Sequence, residues 1–148
     1  MSSQCSEMES SNPDPDSWDG TAIWRIYKAG GSGLVGKLCG LFLEEAGQKI
    51  DSLSRSVQWG EIKRVAHGFK TNCRMMGAEK MAALCHEIVV HSEKGSELGG
   101  SEMAADEVAK LAPHVGELQA AYGEVQERVK QIHEAALRGE SPPGDPPD

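Results

Sequence analysis

The sequence predicts an all-α protein, an antiparallel up-down four-helix bundle with a short additional N-terminal helix. Apolar residues recur at three- and four-residue steps along most of the chain, and the alternating β-branched runs typical of strands are missing. Aromatic residues make up only 5% of the 148 residues, so the predicted core is aliphatic and rich in Met. The connections between the middle helices are short, which makes neighbouring helices antiparallel.

The two ends of the chain differ in composition from the middle. Residues 1–17 are mainly Ser, Pro, Asp and Glu with almost nothing to bury, which predicts a disordered acidic segment. Residues 139–148, GESPPGDPPD, have the same character and predict a disordered Pro-rich tail. The helical-bundle domain is therefore expected to span residues 18–138.

The first half of this domain contains two predicted helices. A short helix covers Asp19–Lys28, and glycines at 30, 31 and 33 break it. The next helix carries apolar residues at helical spacing from Leu34 to Val57, and Trp59-Gly60 is expected to end it in a short turn.

Three further helices complete the predicted bundle. One runs from about residue 61 to 76, and Gly77 suits the position after its end, where a positive φ is required. Another runs from about 78 to 92 and is followed by a loop rich in Gly and Ser. The last has the clearest period, over residues 108–132, with Pro113 expected to kink it or to join two pieces.

Charge and cysteine usage exclude several classes of protein. Lys and Arg number 15 against 23 Asp and Glu, a net charge of −8, which argues against broad binding to nucleic acid or anionic membranes. No apolar run reaches the roughly 20 residues that cross a bilayer, and a secretory signal is missing, so we expect a cytoplasmic protein. Four scattered cysteines are expected to be small apolar side chains rather than disulfides or metal ligands: Cys5, Cys39, Cys73 and Cys85.

A basic cluster surrounds one histidine on the third predicted helix. One face of this helix is apolar and packs inward: Ile62, Val65, Ala66, Phe69, Cys73 and Met76. His67 projects away from that face, and Arg74 follows it two turns later. Its other surface neighbours lie three and four positions away: Lys63, Arg64, Lys70 and Thr71.

Phosphoryl transfer is the chemistry that such a cluster suits. A neutral imidazole is a good nucleophile, and nearby cations disfavour the imidazolium. The same cations stabilise the negative charge of an attached phosphoryl group. Lys70 can reach the transferred oxygens, and Gly68 leaves room beside the ring for a partner. An exposed histidine on a solvated charged face is also common, so the cluster alone leaves both interpretations open.

Residues 66–78, AHGFKTNCRMMGA, resemble the signature of histidine-containing phosphotransfer (HPt) domains, usually A-H-x-[LF]-K-G-x-x-x-x-x-G-A. Six positions match in register: Ala66, His67, Phe69, Lys70, Gly77 and Ala78. The flanking segments LFLEEAGQKI and EKMAALCHEI also resemble this family, so the similarity covers roughly residues 34–90 and extends to the last helix only by pattern.

The resemblance implies a four-helix bundle that exposes His67 near its middle. In this family the Nε2 atom of the histidine takes a phosphoryl group from a receiver aspartyl phosphate and passes it to a second receiver aspartate. Lys70 would stabilise the phosphoryl group, and Gly77 would form the packing turn between two helices. The expected partners are receiver domains of response regulators or hybrid histidine kinases.

We therefore expect a stand-alone, monomeric phosphorelay carrier without ATP binding or autonomous turnover. No cofactor is expected, because Mg²⁺ belongs to the partner receiver. Five residues are expected to contact that partner, the three cations among them steering association: Lys63, Arg64, Gly68, Thr71 and Arg74.

Thr71 departs from the family pattern, which usually has Gly there. Its β-branched side chain narrows the approach of a receiver, although its hydroxyl could bond the backbone carbonyl of His67 or a phosphoryl oxygen. Two alternatives to the carrier stay open. One is an HPt-fold binding module that docks on a receiver or histidine kinase and regulates it without efficient transfer; the other is a plain structural adaptor.

Two further groups of residues were considered as ligand sites. Cys85, His86 and His91 suggest a metal, but on a helix the two histidines lie about 140° apart, unlike a metal-sharing i, i+4 pair, so no metal site is expected. Trp18 and Trp24 are expected to cover the apolar end of the bundle rather than to bind a ligand.

Overall fold

The protein, here a computed structural model, is described over residues 18–99 and 102–144. These ranges contain four helices and no strand: α1 (Gly20–Arg55), α2 (Trp59–Met76), α3 (Glu79–Gly99) and α4 (Ala105–Leu137). α1 and α3 each pack against both α2 and α4, so every helix has two neighbours around one core. The predicted all-α four-helix bundle is confirmed. Residues 1–17, predicted to be disordered, lie outside the described ranges.

A break divides α1 where the glycine cluster predicts it. Gly31 has φ 72° and ψ −167°, a left-handed backbone that favours glycine, and it separates residues 20–30, the N-terminal arm, from the longer part of the helix. Asp19 caps the arm: its Oδ1 accepts hydrogen bonds from the Thr21 hydroxyl at 2.6 Å and the Thr21 backbone N–H at 3.0 Å. These two bonds lower the pKa of the Asp19 carboxyl below its usual range.

Replacing Asp19 with Ala is expected to cost about 1 kcal/mol of unfolding free energy at pH 7, because the cap is lost. The Asp19 pKa is depressed in the folded chain, so this contribution is present above the unfolded value near pH 4 and disappears as the pH falls through the folded value. Urea unfolding of wild type and Asp19→Ala at pH 7 and pH 3 would measure the loss of stability and its dependence on pH. Asp51→Ala, which removes only an exposed pair with Arg55, is the control, and an equal loss there would contradict the cap argument.

The core contains both phenylalanines of the chain. The Phe42 ring on α1 stacks on the Phe69 ring of α2 with centroids 6.3 Å apart, and meets the Tyr122 ring of α4 edge-on at 6.1 Å. Three cysteines are buried as free thiols, as expected: Cys39, Cys73 and Cys85. Burial raises the pKa of the Cys39 thiol to about 12. The Cys39 thiol therefore stays protonated in the core. Cys5 lies outside the described residues.

α3 extends further than the sequence predicts. A Gly- and Ser-rich loop was expected after Ser92, but the helix continues to Gly99, so the loop prediction is wrong over 93–99. Gly95 explains the error, because a Cβ atom there would overlap the buried indole of Trp59. This glycine allows two helices to approach closely rather than breaking one. Trp59 itself begins α2 rather than forming the predicted turn.

α4 is one continuous helix from Ala105 to Leu137 with Pro113 inside it, so the proline does not join two separate pieces. Gly139 follows with φ 77°, and the Glu140 N–H donates to the Ala135 carbonyl at 2.9 Å, which reverses the chain. Residues 139–144 are not helical, and Pro142 is buried. Residues 145–148 lie outside the described ranges.

Backbone hydrogen bonds join the connections at both ends of the bundle. The Asp19 N–H donates to the Gly77 carbonyl at 2.6 Å, which links the N-terminal arm to the turn between α2 and α3. The Met103 N–H donates to the Val57 carbonyl at 2.7 Å and connects the other two loops. None of the four described helices combines the length and apolarity needed to cross a membrane.

Candidate functional site

His67 lies on the outer face of α2 with its side chain exposed. The inner face of the same helix is fully engaged in the core, because all six residues predicted to point inward are buried: Ile62, Val65, Ala66, Phe69, Cys73 and Met76. The helix is therefore fixed in rotation by its core contacts. An imidazole on its outer face is consequently accessible to a partner in a defined orientation.

Lys70 lies one turn beyond His67 and is half-buried towards α3. Its Nζ atom is 3.5 Å from Nδ1 of His86 on that helix. The sequence alone does not predict this contact, because Lys70 and His86 lie on different helices. The antiparallel register of α2 and α3 would have revealed it, since the same seam pairs Lys63 with Glu93.

The cations around His67 are less free than the sequence suggests. The Lys63 ammonium lies 3.2 Å from the Glu93 carboxylate. The Arg64 guanidinium lies 2.7 Å from Glu61, and this hydrogen bond raises the pKa of Arg64. Arg74 forms no ion pair with any residue in the described ranges. Carboxylates thus compensate two of the four predicted charges, and the positive field is concentrated at Arg74 and Lys70.

Thr71 bonds its own helix. Its Oγ1 donates to the backbone carbonyl of His67 at 3.4 Å, one of the two arrangements expected from the sequence. Beside it, a Cβ atom added to Gly68 would meet no other atom within 4 Å, so the surface next to His67 is open. A partner can therefore approach along the Gly68 side.

Exposed apolar side chains lie on both α1 and α2. Leu41 of α1 is 41% exposed and Met75 of α2 is 48% exposed. The stacking of Phe42 on Phe69 places the Leu41 stretch of α1 at the level of the candidate site. The outer surface thus combines an imidazole, cations and apolar groups, a combination suited to protein docking.

Gly77 is a structural residue of the site region. It ends α2 with φ 88°, and the backbone N–H groups of Gly77 and Ala78 bond to the Arg74 and Cys73 carbonyls. A Cβ atom there would overlap the Asp19 carbonyl oxygen. Gly77 therefore forms the turn between α2 and α3.

The comparison with protein families matches residues 37–135 to the Hpt domain. The chain belongs to the Hpt domain family. It is thus a histidine phosphotransfer module of two-component signalling. Members of this family act as phosphocarrier modules and interact with receiver domains in phosphorelays. Neither the comparison with curated proteins nor that with solved structures found a match.

The Hpt match contains the whole candidate site. It begins within α1 at Lys37, after the N-terminal arm, and ends within α4 at Ala135. In the described part of the chain, no group of three His, Cys, Asp or Glu side chains is arranged to hold a metal ion.

Proposed function

We propose that this Hpt protein is a stand-alone phosphorelay carrier, in which His67 accepts a phosphoryl group from one receiver aspartate and delivers it to another. The observation that supports this role best is the exposed His67 with Lys70 one turn beyond it, both inside the family match. The rest of α2 faces the core, so this outer face is the part of the helix that a receiver can reach.

The proposed transfer needs a neutral imidazole. The lone pair of Nε2 attacks phosphorus, the N–P bond forms as the P–O bond to the receiver aspartate breaks, and the Nδ1 proton stays in place. The reverse displacement by a second aspartate restores the free ring. Lys70 stabilises the added charge, and its contact with His86 holds the ammonium on the side of α2 that faces α3. In this proposal the chain supplies no cofactor and no ATP site, and Mg²⁺ is held by the receiver.

Docking is proposed to use the surface around His67. Gly68 leaves the centre of this surface open, Thr71 borders it, and Arg74 faces the acidic pocket of the receiver. The exposed Leu41 and Met75 supply apolar contact at the margin. We propose that the carrier acts as a monomer in the cytoplasm, with one receiver bound at a time because both the donor and the acceptor need the same face.

The direct test is transfer from receivers charged with a small phosphodonor. The carrier role is supported if label moves to the chain and is labile in acid but stable in alkali. The label should also leave the chain when a second receiver is added. A receiver that binds tightly but transfers no label would contradict it and favour the binding module.

Arg74→Ala is expected to slow transfer by about 3- to 10-fold at low salt, because the variant loses a cation that attracts the receiver and that forms no ion pair among the described residues. Arg64→Ala is the matched control, since the Arg64 charge is already paired with Glu61, and a smaller loss is expected. Transfer rates at several salt concentrations would measure both variants. Equal rates for wild type and Arg74→Ala at low salt would exclude steering by this residue.

Thr71→Gly is expected to leave the bundle folded and not to slow phosphorylation of His67, because glycine is the usual residue of the family at this position. Thr71→Ser, which keeps the hydroxyl, separates loss of the side-chain bond from loss of bulk. Single-turnover transfer rates of both variants measure the effect, and circular dichroism verifies that each variant is folded. A marked drop in Thr71→Gly that Thr71→Ser does not share would mean that the hydroxyl takes part.

The binding module remains the second candidate because Thr71 adds bulk beside His67. It predicts that receivers bind the wild-type chain with full affinity yet exchange phosphoryl groups slowly, and that Thr71→Gly speeds the exchange.

A further inference from the structure

The Lys70 ammonium has an imidazole as its partner, whereas Lys63 at the same seam of α2 and α3 has a carboxylate. The two lysines lie seven residues apart on α2, and their partners on α3, His86 and Glu93, also lie seven residues apart. The Lys63 Nζ atom is 3.2 Å from the Glu93 carboxylate, and the Lys70 Nζ atom is 3.5 Å from Nδ1 of His86. Lys70 forms no ion pair with a carboxylate of the described residues.

The contact with Lys70 assigns the proton of the His86 ring. An ammonium group has three N–H donors and no acceptor, so Nδ1 of His86 accepts and the ring proton lies on Nε2. The contact uses one donor of Lys70, and two remain for phosphoryl oxygens. Because a neutral acceptor cancels no charge, the ammonium keeps the positive charge that stabilises a phosphoryl group.

His86 also limits the freedom of the Lys70 side chain. A lysine loses rotamer freedom when its ammonium is fixed at one place. Lys70 is half-buried and is already bonded to α3 in the free protein, so part of this loss precedes the arrival of a receiver. The contact therefore prepares the cation for the reaction.

Lys70 is the charged group that His86 contacts, with Arg74 one turn further along α2. The positions three and four residues from His86 on α3 carry no charge: Ala82, Ala83, Val89 and Val90. Three other titratable side chains reach α3 from its neighbours, each paired with a different residue: Glu107 with His91, His114 with Glu87, and Lys63 with Glu93. Protonation of His86 thus removes the acceptor of Lys70 and sets an imidazolium against the ammonium.

We propose that His86 is a positioning residue for phosphoryl transfer: its neutral ring holds the Lys70 ammonium in place one turn from His67, and its protonation ends that support. The contact between Nζ and Nδ1 carries the inference. It rests on the proposed function, because it concerns the same transfer to His67. Transfer then has a second sensitivity to acid, in addition to the need for a neutral His67 ring.

The test compares His86→Asn with wild type in single-turnover transfer from one receiver at saturating concentration. Asparagine keeps a neutral acceptor near the position of Nδ1 but does not titrate. The two pH values are 8 and 5.5, on either side of the range in which histidine side chains usually titrate. At pH 8 the variant should react within about 2-fold of wild type, and at pH 5.5 it should be about 3- to 10-fold faster than wild type.

The ratio of the two rates cancels the pH dependence of the receiver and of His67. His114→Gln is the matched control, because His114 contacts Glu87 and not Lys70. Its rate relative to wild type should be the same at both pH values. A His86→Asn ratio that does not rise in acid would overturn the proposal.

His86→Leu removes the acceptor and should slow transfer by about 3- to 10-fold at pH 8. The loss should appear in the maximal rate and not in the receiver concentration that gives half of it. Equal maximal rates for His86→Leu and wild type would overturn the positioning role, and so would a change confined to the half-saturating concentration, which would assign His86 to docking. Circular dichroism verifies folding, and His86→Ala replaces the leucine variant if that variant does not fold.

The nitrogen resonances of the His86 ring at pH 8 give a readout that needs no transfer. They should show the proton on Nε2, and Lys70→Met should weaken this preference by removing the donor to Nδ1. A ring protonated on Nδ1 in wild type would overturn the inference and leave the carrier role intact. A wild-type chain that accepts no label from any receiver at either pH would overturn the carrier role and this inference together.

Discussion

His67→Gln is expected to abolish phosphoryl transfer to the chain. Glutamine is polar and similar in reach to histidine, but its amide has no nucleophilic nitrogen, so no phosphoryl adduct can form. The His67 side chain is exposed and contributes nothing to the core, so the bundle should remain folded. Transfer of label from a charged receiver, with circular dichroism to verify folding, measures the effect. Binding of the receiver should persist, because the docking surface is intact.

His86→Gln is the matched control for this experiment. His86 contacts Lys70 and is also exposed, so it is an alternative acceptor close to the site. We expect the control to accept label. Label on His67→Gln at the wild-type level would contradict the assignment of His67, and its loss in His86→Gln alone would move the acceptor to α3.

Gly77→Ala is expected to cause the largest loss of stability among single substitutions in the helix connections. The backbone there has φ 88°, and the added Cβ atom would overlap the Asp19 carbonyl oxygen. Left-handed strain and overpacking together should cost about 2–4 kcal/mol of unfolding free energy. The short bond between the Asp19 N–H and the Gly77 carbonyl would be lost or distorted.

Gly123→Ala is the control for this substitution. Gly123 lies inside α4, and a Cβ atom there would meet nothing within 4 Å, so alanine should stabilise the helix by up to about 1 kcal/mol. Urea unfolding of both variants compares them directly. If Gly77→Ala were as stable as wild type, the described turn would be wrong.

Local patterns of the sequence predict much of the bundle. The apolar period of α2 identifies its buried face, and the same period places His67 outside. Gly77 and the break at Gly31 follow from the backbone conformations that only glycine adopts easily. Each of these features depends on residues within two or three turns of each other.

The features that the sequence did not predict depend on distant residues. Gly95 suggests a loop when the sequence is considered alone. In the structure, the Trp59 ring, 36 positions earlier in the chain, occupies the space that a Cβ atom of residue 95 would need. The basic cluster looks uncompensated until Glu93 of the neighbouring helix is paired with Lys63. Pro142 looks solvated until the turn after α4 places it against the N-terminal arm.

The N-terminal arm has a consequence for how a fragment of this protein should be cut. The family match begins at Lys37, inside α1, whereas the arm before it supplies the buried Ala22, Ile23 and Ile26. A fragment trimmed to residues 37–135 would expose the surface that these side chains cover and leave the Gly77 carbonyl without its Asp19 donor. The packed core therefore extends beyond the span of sequence that matches the family, and the turn after α2 is hydrogen-bonded to a residue outside that span.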